Sequence, residues 1–337
     1  MSNYDKKLGE RAAFFGIPMK WVSLLMLVAQ TVSVVFAMRL SRTSDGVGPM
    51  YLNTTAVFFS ELLKLVCSFA FLTYEKGSID QAFCVARMHL TSNISENLKI
   101  MVPGALYTLQ NNLLFVSLSN LSGAVYQVTY QLKILTTAVL SVVIMGKILG
   151  RTKWCSLFML FAGAALIQLP RGDAGSNSAA KGNPLIGLSA VISACITSGF
   201  AGVFLEKLLK QTHASIWLRN IQLALFGSGL SLVGCLLQDG DQIRQDGFLQ
   251  GYSWLVWTVI FLQAVGGLVV ASVLKYADNI LKCFGNAVSI VISCVLSSVF
   301  LREFTPDLLF VVGTLLVLAA TTIYNLGIPM SLQRIFN

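Results

Sequence analysis

AVYQVTYQLKILTTAVLSVVIM, residues 124–145, is long and apolar enough to cross a bilayer as one helix, yet it carries a lysine, Lys133. Centring a lysine in a lipid-exposed helix costs roughly 2.5–3.5 kcal/mol on insertion scales. On a helix Tyr126, Tyr130 and Lys133 fall at i, i+4 and i+7, so two phenols and an ammonium share one face. Lipid does not reward such a face; a polar cavity inside a helix bundle would. The other half of the chain repeats the anomaly. Lys282, in ADNILKCF, opens the apolar run Cys283–Phe300. Two buried lysines on facing helices would make a site for an anion, with phosphate the natural candidate.

The rest of the composition agrees with a membrane setting. Of 337 residues 55% are apolar and only 12% charged, against about 25% charged in soluble domains. The expected class is an all-α polytopic membrane protein, with the lipid bilayer as its surroundings. A net charge of +9 would suggest nucleic acid in a soluble protein; here it is assigned to basic loops, and no nucleic-acid partner is expected. The seven cysteines form no CxxC pair and fall mostly inside apolar runs, which argues against disulfides and metal ligation. His89 and His213 are expected as solvated loop residues. There is no HExxH, no GxSxG and no Gly-rich phosphate loop, and Glu61 stands as the one mid-helix carboxylate. An enzyme is therefore not expected, nor a cofactor.

Hydropathy marks ten helices: Met19–Met38, Tyr51–Tyr74, Leu98–Leu118, Ala124–Met145, Trp154–Leu169, Leu185–Leu209, Ile216–Leu237, Trp254–Leu274, Ile280–Phe300 and Leu308–Leu326. The longest non-helical pieces are expected at Glu75–Asn97 and at Arg171–Asn183. The latter, RGDAGSNSAAKGN, divides the chain into two five-helix halves, 19–170 and 184–327, joined by a lumenal linker at 171–183. The short polar tails are 1–18 and 328–337. Five is odd, so the halves must insert in opposite senses, the 5+5 inverted-repeat plan of many secondary transporters. Placing Lys133 over Lys282 also matches Leu132 with Leu281, Ala138 with Ala287, Val139 with Val288 and Val142 with Val291. Orientation follows from loop charge. Arg39, Arg42, Arg171, Lys181, Arg244 and Arg302 fall on one side, and Lys64, Lys133 and Lys282 inside helices. The other fifteen of the 24 basic residues, Lys99, Lys210 and Arg219 among them, share the side of both termini, which is therefore expected to be cytoplasmic.

Further candidates are polar groups within the apolar runs. In YTLQNN, Tyr107, Gln110 and Asn111 form one helical stripe whose amides could read a base edge while Tyr107 or Tyr126 offers a stacking face. Glu61 and Lys64, three apart, are expected to form an intrahelical ion pair. Ser198, Gly199 and Gly202, like Gly266 and Gly267, are spaced for close helix packing. Asn220 and Gln222 enter the seventh helix one half-repeat away from YTLQNN.

At VYQVTYQLK, YTLQNN, SGFAGVFLEKLLK, WLRNIQ and KYADNILK the sequence closely resembles the Golgi nucleotide-sugar transporters of solute carrier family 35, in the branch of UDP-N-acetylglucosamine, UDP-galactose and CMP-sialic acid carriers. The resemblance runs from about Met19 to the last helix. It implies a ten-helix drug/metabolite transporter fold with cytoplasmic ends, in the Golgi membrane. It also implies import of a nucleotide sugar in exchange for the matching nucleoside monophosphate, and is compatible with a homodimer. Tyr107, Gln110, Asn111 and Tyr126 are similar to the family's nucleoside contacts, Lys133 and Lys282 to its phosphate-binding lysines, and Asn220 to a polar contact; Tyr130 joins this group through its shared face. CMP-sialic acid carriers follow RNIQ with a Tyr and a Ser, where this chain has Ala224 and Phe226, a pattern similar to UDP-N-acetylglucosamine carriers. Cys283 replaces the glycine that usually follows the second lysine. The expected cargo is a UDP-sugar against UMP; a CMP-sialic acid/CMP exchanger and another phosphorylated-metabolite exporter remain the alternatives.

Overall fold

In hydrocarbon every backbone N–H and C=O must find its partner within its own segment, so apolar runs of this length become helices. All ten do. The structure, a computed structural model, describes residues 13–14, 16–43, 51–92, 94–169, 183–211, 214–301 and 307–326. A two-residue hairpin, β1 (Ala13–Phe14) against β2 (Ile17–Pro18), precedes α1 (Met19–Thr43). There follow α2 (Asn53–Lys76), α3 (Ile79–Ser92), α4 (Ile94–Asn120), α5 (Gly123–Tyr130), α6 (Lys133–Met145) and α7 (Arg151–Ile167). The remainder are α8 (Pro184–Gln211), α9 (Ile216–Gln238), α10 (Gly240–Asp246), α11 (Trp254–Tyr276), α12 (Asn279–Leu296), a π turn at Ser297–Leu301, and α13 (Leu308–Leu326). The tail 328–337, the linker apart from Asn183, and His213 lie outside the described residues.

Eight helical segments among the described residues, with α5 and α6 taken together as one, are long and apolar enough to span a membrane. The two predicted spans not in that set are helical too. One is α7, with 17 residues; the other is α4, which carries Glu96, Lys99 and the YTLQNN amides.

The chain packs as two units that interleave its halves. One holds Leu106–Phe204 and the described residues from Asn279 to Leu326; the other holds Ala13–Ala105 and Leu205–Asp278. The boundaries fall inside α4, inside α8 and between α11 and α12. In the first unit α7 lies along α13, with α12 against α6 and α7. Its core joins Ile134 and Ala138, Leu157 and Leu160, Phe284 and Ala287, and Val317. The α7–α13 crossing is backbone on backbone: a Cβ on Gly163 would stand 2.8 Å from the Gly313 carbonyl. In the second unit α2 packs on α9 and α11, and α11 on α1. There the expected ion pair forms, Lys64 Nζ to Glu61 Oε2 at 2.6 Å. Glycines seat it: a Cβ on Gly227 would meet Glu61, one on Gly267 would meet Lys64, and one on Gly266 would meet Gln30.

Several expectations need correction. Residues 75–97 are not loop. The chain turns through the left-handed Gly77 (φ 74°) and forms α3, whose Ala82 and Ala86 pack inward on Leu72, Leu218 and Ile221. His89 is accordingly a half-buried helix residue, not a solvated loop residue. Residues 124–145 are two helices, not one. Arg219 is no loop cation: it is buried, donating to Gln222 Oε1 (2.9 Å) and Glu96 Oε2 (3.0 Å). Glu61 is not alone either. Glu206 on α8 is fully buried and takes Lys210 at 2.8 Å, while Lys210 also donates to the Ala277 carbonyl at the end of α11.

Candidate functional site

The break inside residues 124–145 sets the site. From Gln131 to Ile134 the backbone tightens to i→i−3 pairing: Gln131 N–H to Val128 O (3.1 Å), Leu132 to Thr129 (3.0 Å) and Ile134 to Gln131 (2.9 Å). A new helix, α6, then starts at Lys133. Lys282 is the fourth residue of α12. Both lysines thus occupy first turns, where aligned peptide dipoles favour negative charge. The residues after them, Ile134 and Cys283, share one core cluster, so the two first turns belong to packed neighbours. The ammonium groups are within electrostatic reach of one another. Among the described residues no carboxylate pairs with either.

Around Lys133 the aromatic face predicted from spacing is present. Tyr126 and Tyr130 stack with centroids 5.8 Å apart and planes 7° off parallel. Lys133 Nζ sits over the Tyr130 ring, 4.2 Å from its centroid, which holds an otherwise unpaired cation. Gln110 Nε2 donates to Tyr130 Oη at 3.0 Å. Gln110 is 7% exposed, and its Oε1 has no partner. A buried acceptor left open costs free energy unless a ligand donor meets it.

The unit therefore brings together Gln110, Tyr126, Tyr130, Lys133 and Lys282, with Tyr107 half-buried one turn before Gln110. Asn111 is in the same unit but exposed. Asn220 belongs to the other unit, buried, with its amide donating to the Ile216 carbonyl at 3.0 Å. Sequence reasoning passed over Cys195; its i, i+3 spacing from Ser198 places the two on one face of α8, which was the available signal. It also missed the network of Arg219, Gln222 and Asn97. In it Gln222 Nε2 donates to Asn97 Oδ1 (2.7 Å), and Asn97 caps the Leu90 carbonyl at the end of α3 (2.7 Å).

Eight helical segments of membrane length among the described residues make this a multi-pass membrane protein. The chain belongs to the nucleotide-sugar transporter family, whose model matches residues 16–325. It is 48% identical to the UDP-N-acetylglucosamine transporter of Rattus norvegicus, over 91% of this chain and 95% of that one. It is 43% identical to the UDP-galactose translocator of Bos taurus, over 91% of this chain and 78% of that one. A solved crystal structure 14% identical in sequence has the same fold, with a TM-score of 0.65 over 94% of this chain and 98% of that one.

Proposed function

We propose that the chain exchanges a UDP-sugar for UMP across the Golgi membrane, carrying the sugar nucleotide into the lumen with both termini cytoplasmic. UDP-N-acetylglucosamine is the first cargo and UDP-galactose the second, in the order of identity to the relatives so named. The observation that carries the reading is the pair of lysines in the first turns of α6 and α12, neither of which meets a carboxylate among the described residues. In a low-dielectric cavity two ammonium groups neutralise a diphosphate, and still release a monophosphate. The uracil lies by Tyr107 and Tyr126, its ring N–H meeting the open Gln110 oxygen. Asn111 supplies a further polar contact. Ten spans in a 5+5 inverted repeat agree with the packing. The second predicted helix lies on the seventh and the fifth on the tenth, pairs of equivalent positions under a five-helix repeat. Exchange follows if the empty carrier, with two unpaired charges, reorients slowly.

The test is uptake of radiolabelled UDP-N-acetylglucosamine, UDP-galactose and CMP-sialic acid into liposomes preloaded with UMP, CMP or neither. UDP-sugar uptake that depends on internal UMP is expected. Preference for CMP-sialic acid against CMP would overturn the cargo, and equal uptake with and without internal nucleotide would overturn exchange.

A further inference from the structure

An unbroken α-helix would pair the amide of Ile134 with the carbonyl of Tyr130. Here that amide goes to Gln131 instead, at 2.9 Å. Nothing in the local sequence demands it, since neither glycine nor proline lies between residues 124 and 145. Helix breaks without those residues arise at π-bulges or where a side chain or water enters the ladder, and here a side chain stands at the break. The side chain is Cys195, fully buried on α8. Its thiol donates to the Tyr130 carbonyl at 3.5 Å and approaches that of Thr129 at 3.9 Å. Thr136 Oγ1 closes the joint from the other side, donating to the Cys195 carbonyl at 3.0 Å. One turn on, Gly199 brings the α8 backbone against α6: a Cβ there would lie 3.2 Å from the Thr137 nitrogen.

We propose that Cys195 is the positioning residue of the anion clamp: its thiol holds open the joint between α5 and α6 and thereby aims Lys133. The proposal rests on the reading of Lys133 as a phosphate ligand. A thiol suits the place because it is a small, weak donor that can serve the Tyr130 carbonyl left open at the break. Were the joint to close into a continuous helix, Lys133 would leave the first turn, and the ammonium would turn relative to Lys282. Uridine alone, which carries no phosphate, would be indifferent to that change.

The experiment uses full-length protein bearing Cys195→Ala, Cys195→Val, Cys195→Ser or Lys133→Ala, with displacement of radiolabelled UMP by unlabelled UMP and by uridine. The Ala and Val forms should bind UMP roughly fivefold more weakly, the size of one lost weak hydrogen bond. Uridine should change less than about twofold, and the Ser form should keep UMP affinity within about twofold of wild type. Equal weakening of both ligands, no weakening of either, or a Ser form that behaves like Val would each overturn the proposal. Should Lys133→Ala leave the preference for UMP over uridine untouched, both readings fall, and that arm shows the phosphate assignment to be the one at fault.

Discussion

Gly202 on α8 lies against the first residue of α12, and adding one methyl group there should disturb the helix that carries Lys282. A Cβ at Gly202 would stand 2.4 Å from Asn279 Nδ2 and 2.9 Å from both Cγ and Oδ1. Ordinary contact needs about 3.5 Å, so the amide must retreat by about 1 Å. Asn279 is 1% exposed and has little room to give. Overpacking of this kind costs about 1–3 kcal/mol. The assay is thermal unfolding in detergent of Gly202→Ala, Asn279→Ala and the double variant. Because the clash is with the Asn279 side chain itself, removing that side chain should relieve it. The double variant should then be more stable than the two single losses added together, by at least about 1 kcal/mol. Strict additivity, or a Gly202→Ala form as stable as wild type, would refute the packing argument.

Arg219→Lys should destabilise by about 1–3 kcal/mol, since an ammonium cannot serve Gln222 and Glu96 as the planar fork does. Glu96→Gln should cost under about 1 kcal/mol, because that carboxylate is 42% exposed; unfolding midpoints in the same detergent compare the two. Gly163→Ala should lower the midpoint by more than Gly234→Ala, which has open space around its Cβ position, and the reverse order would be inconsistent with the α7–α13 crossing. Both substitutions remove a helical glycine, so the propensity gain is shared and only the contact differs.

The long apolar runs were legible because a bilayer leaves their backbone few choices. So was the Lys64–Glu61 pair, from spacing alone, and so were the shared face of Tyr126 and Tyr130 and the close-packing glycines at 199, 202, 266 and 267. What escaped detection depended on distant partners. The helix α3 is short, and its inward Ala82 and Ala86 are too small to lift a hydropathy trace; they matter because Leu218 and Ile221 meet them. Arg219 reads as a loop cation until Glu96, more than a hundred residues earlier, is placed beside it. The break before Lys133 has no local signature because a cysteine from another helix makes it. That break changes the site: a lysine expected within a continuous helix stands instead at a helix start.

The central claim is that Lys133 and Lys282 hold phosphate. It is tested most directly by binding of UMP and of uridine to Lys133→Ala and Lys282→Ala protein. Charge-assisted hydrogen bonds of this kind contribute about 1.5–3 kcal/mol, so each substitution should weaken UMP roughly 10- to 100-fold. Uridine affinity should stay close to that of wild type. UMP binding unchanged in either variant, or UMP and uridine weakened alike, would contradict the account.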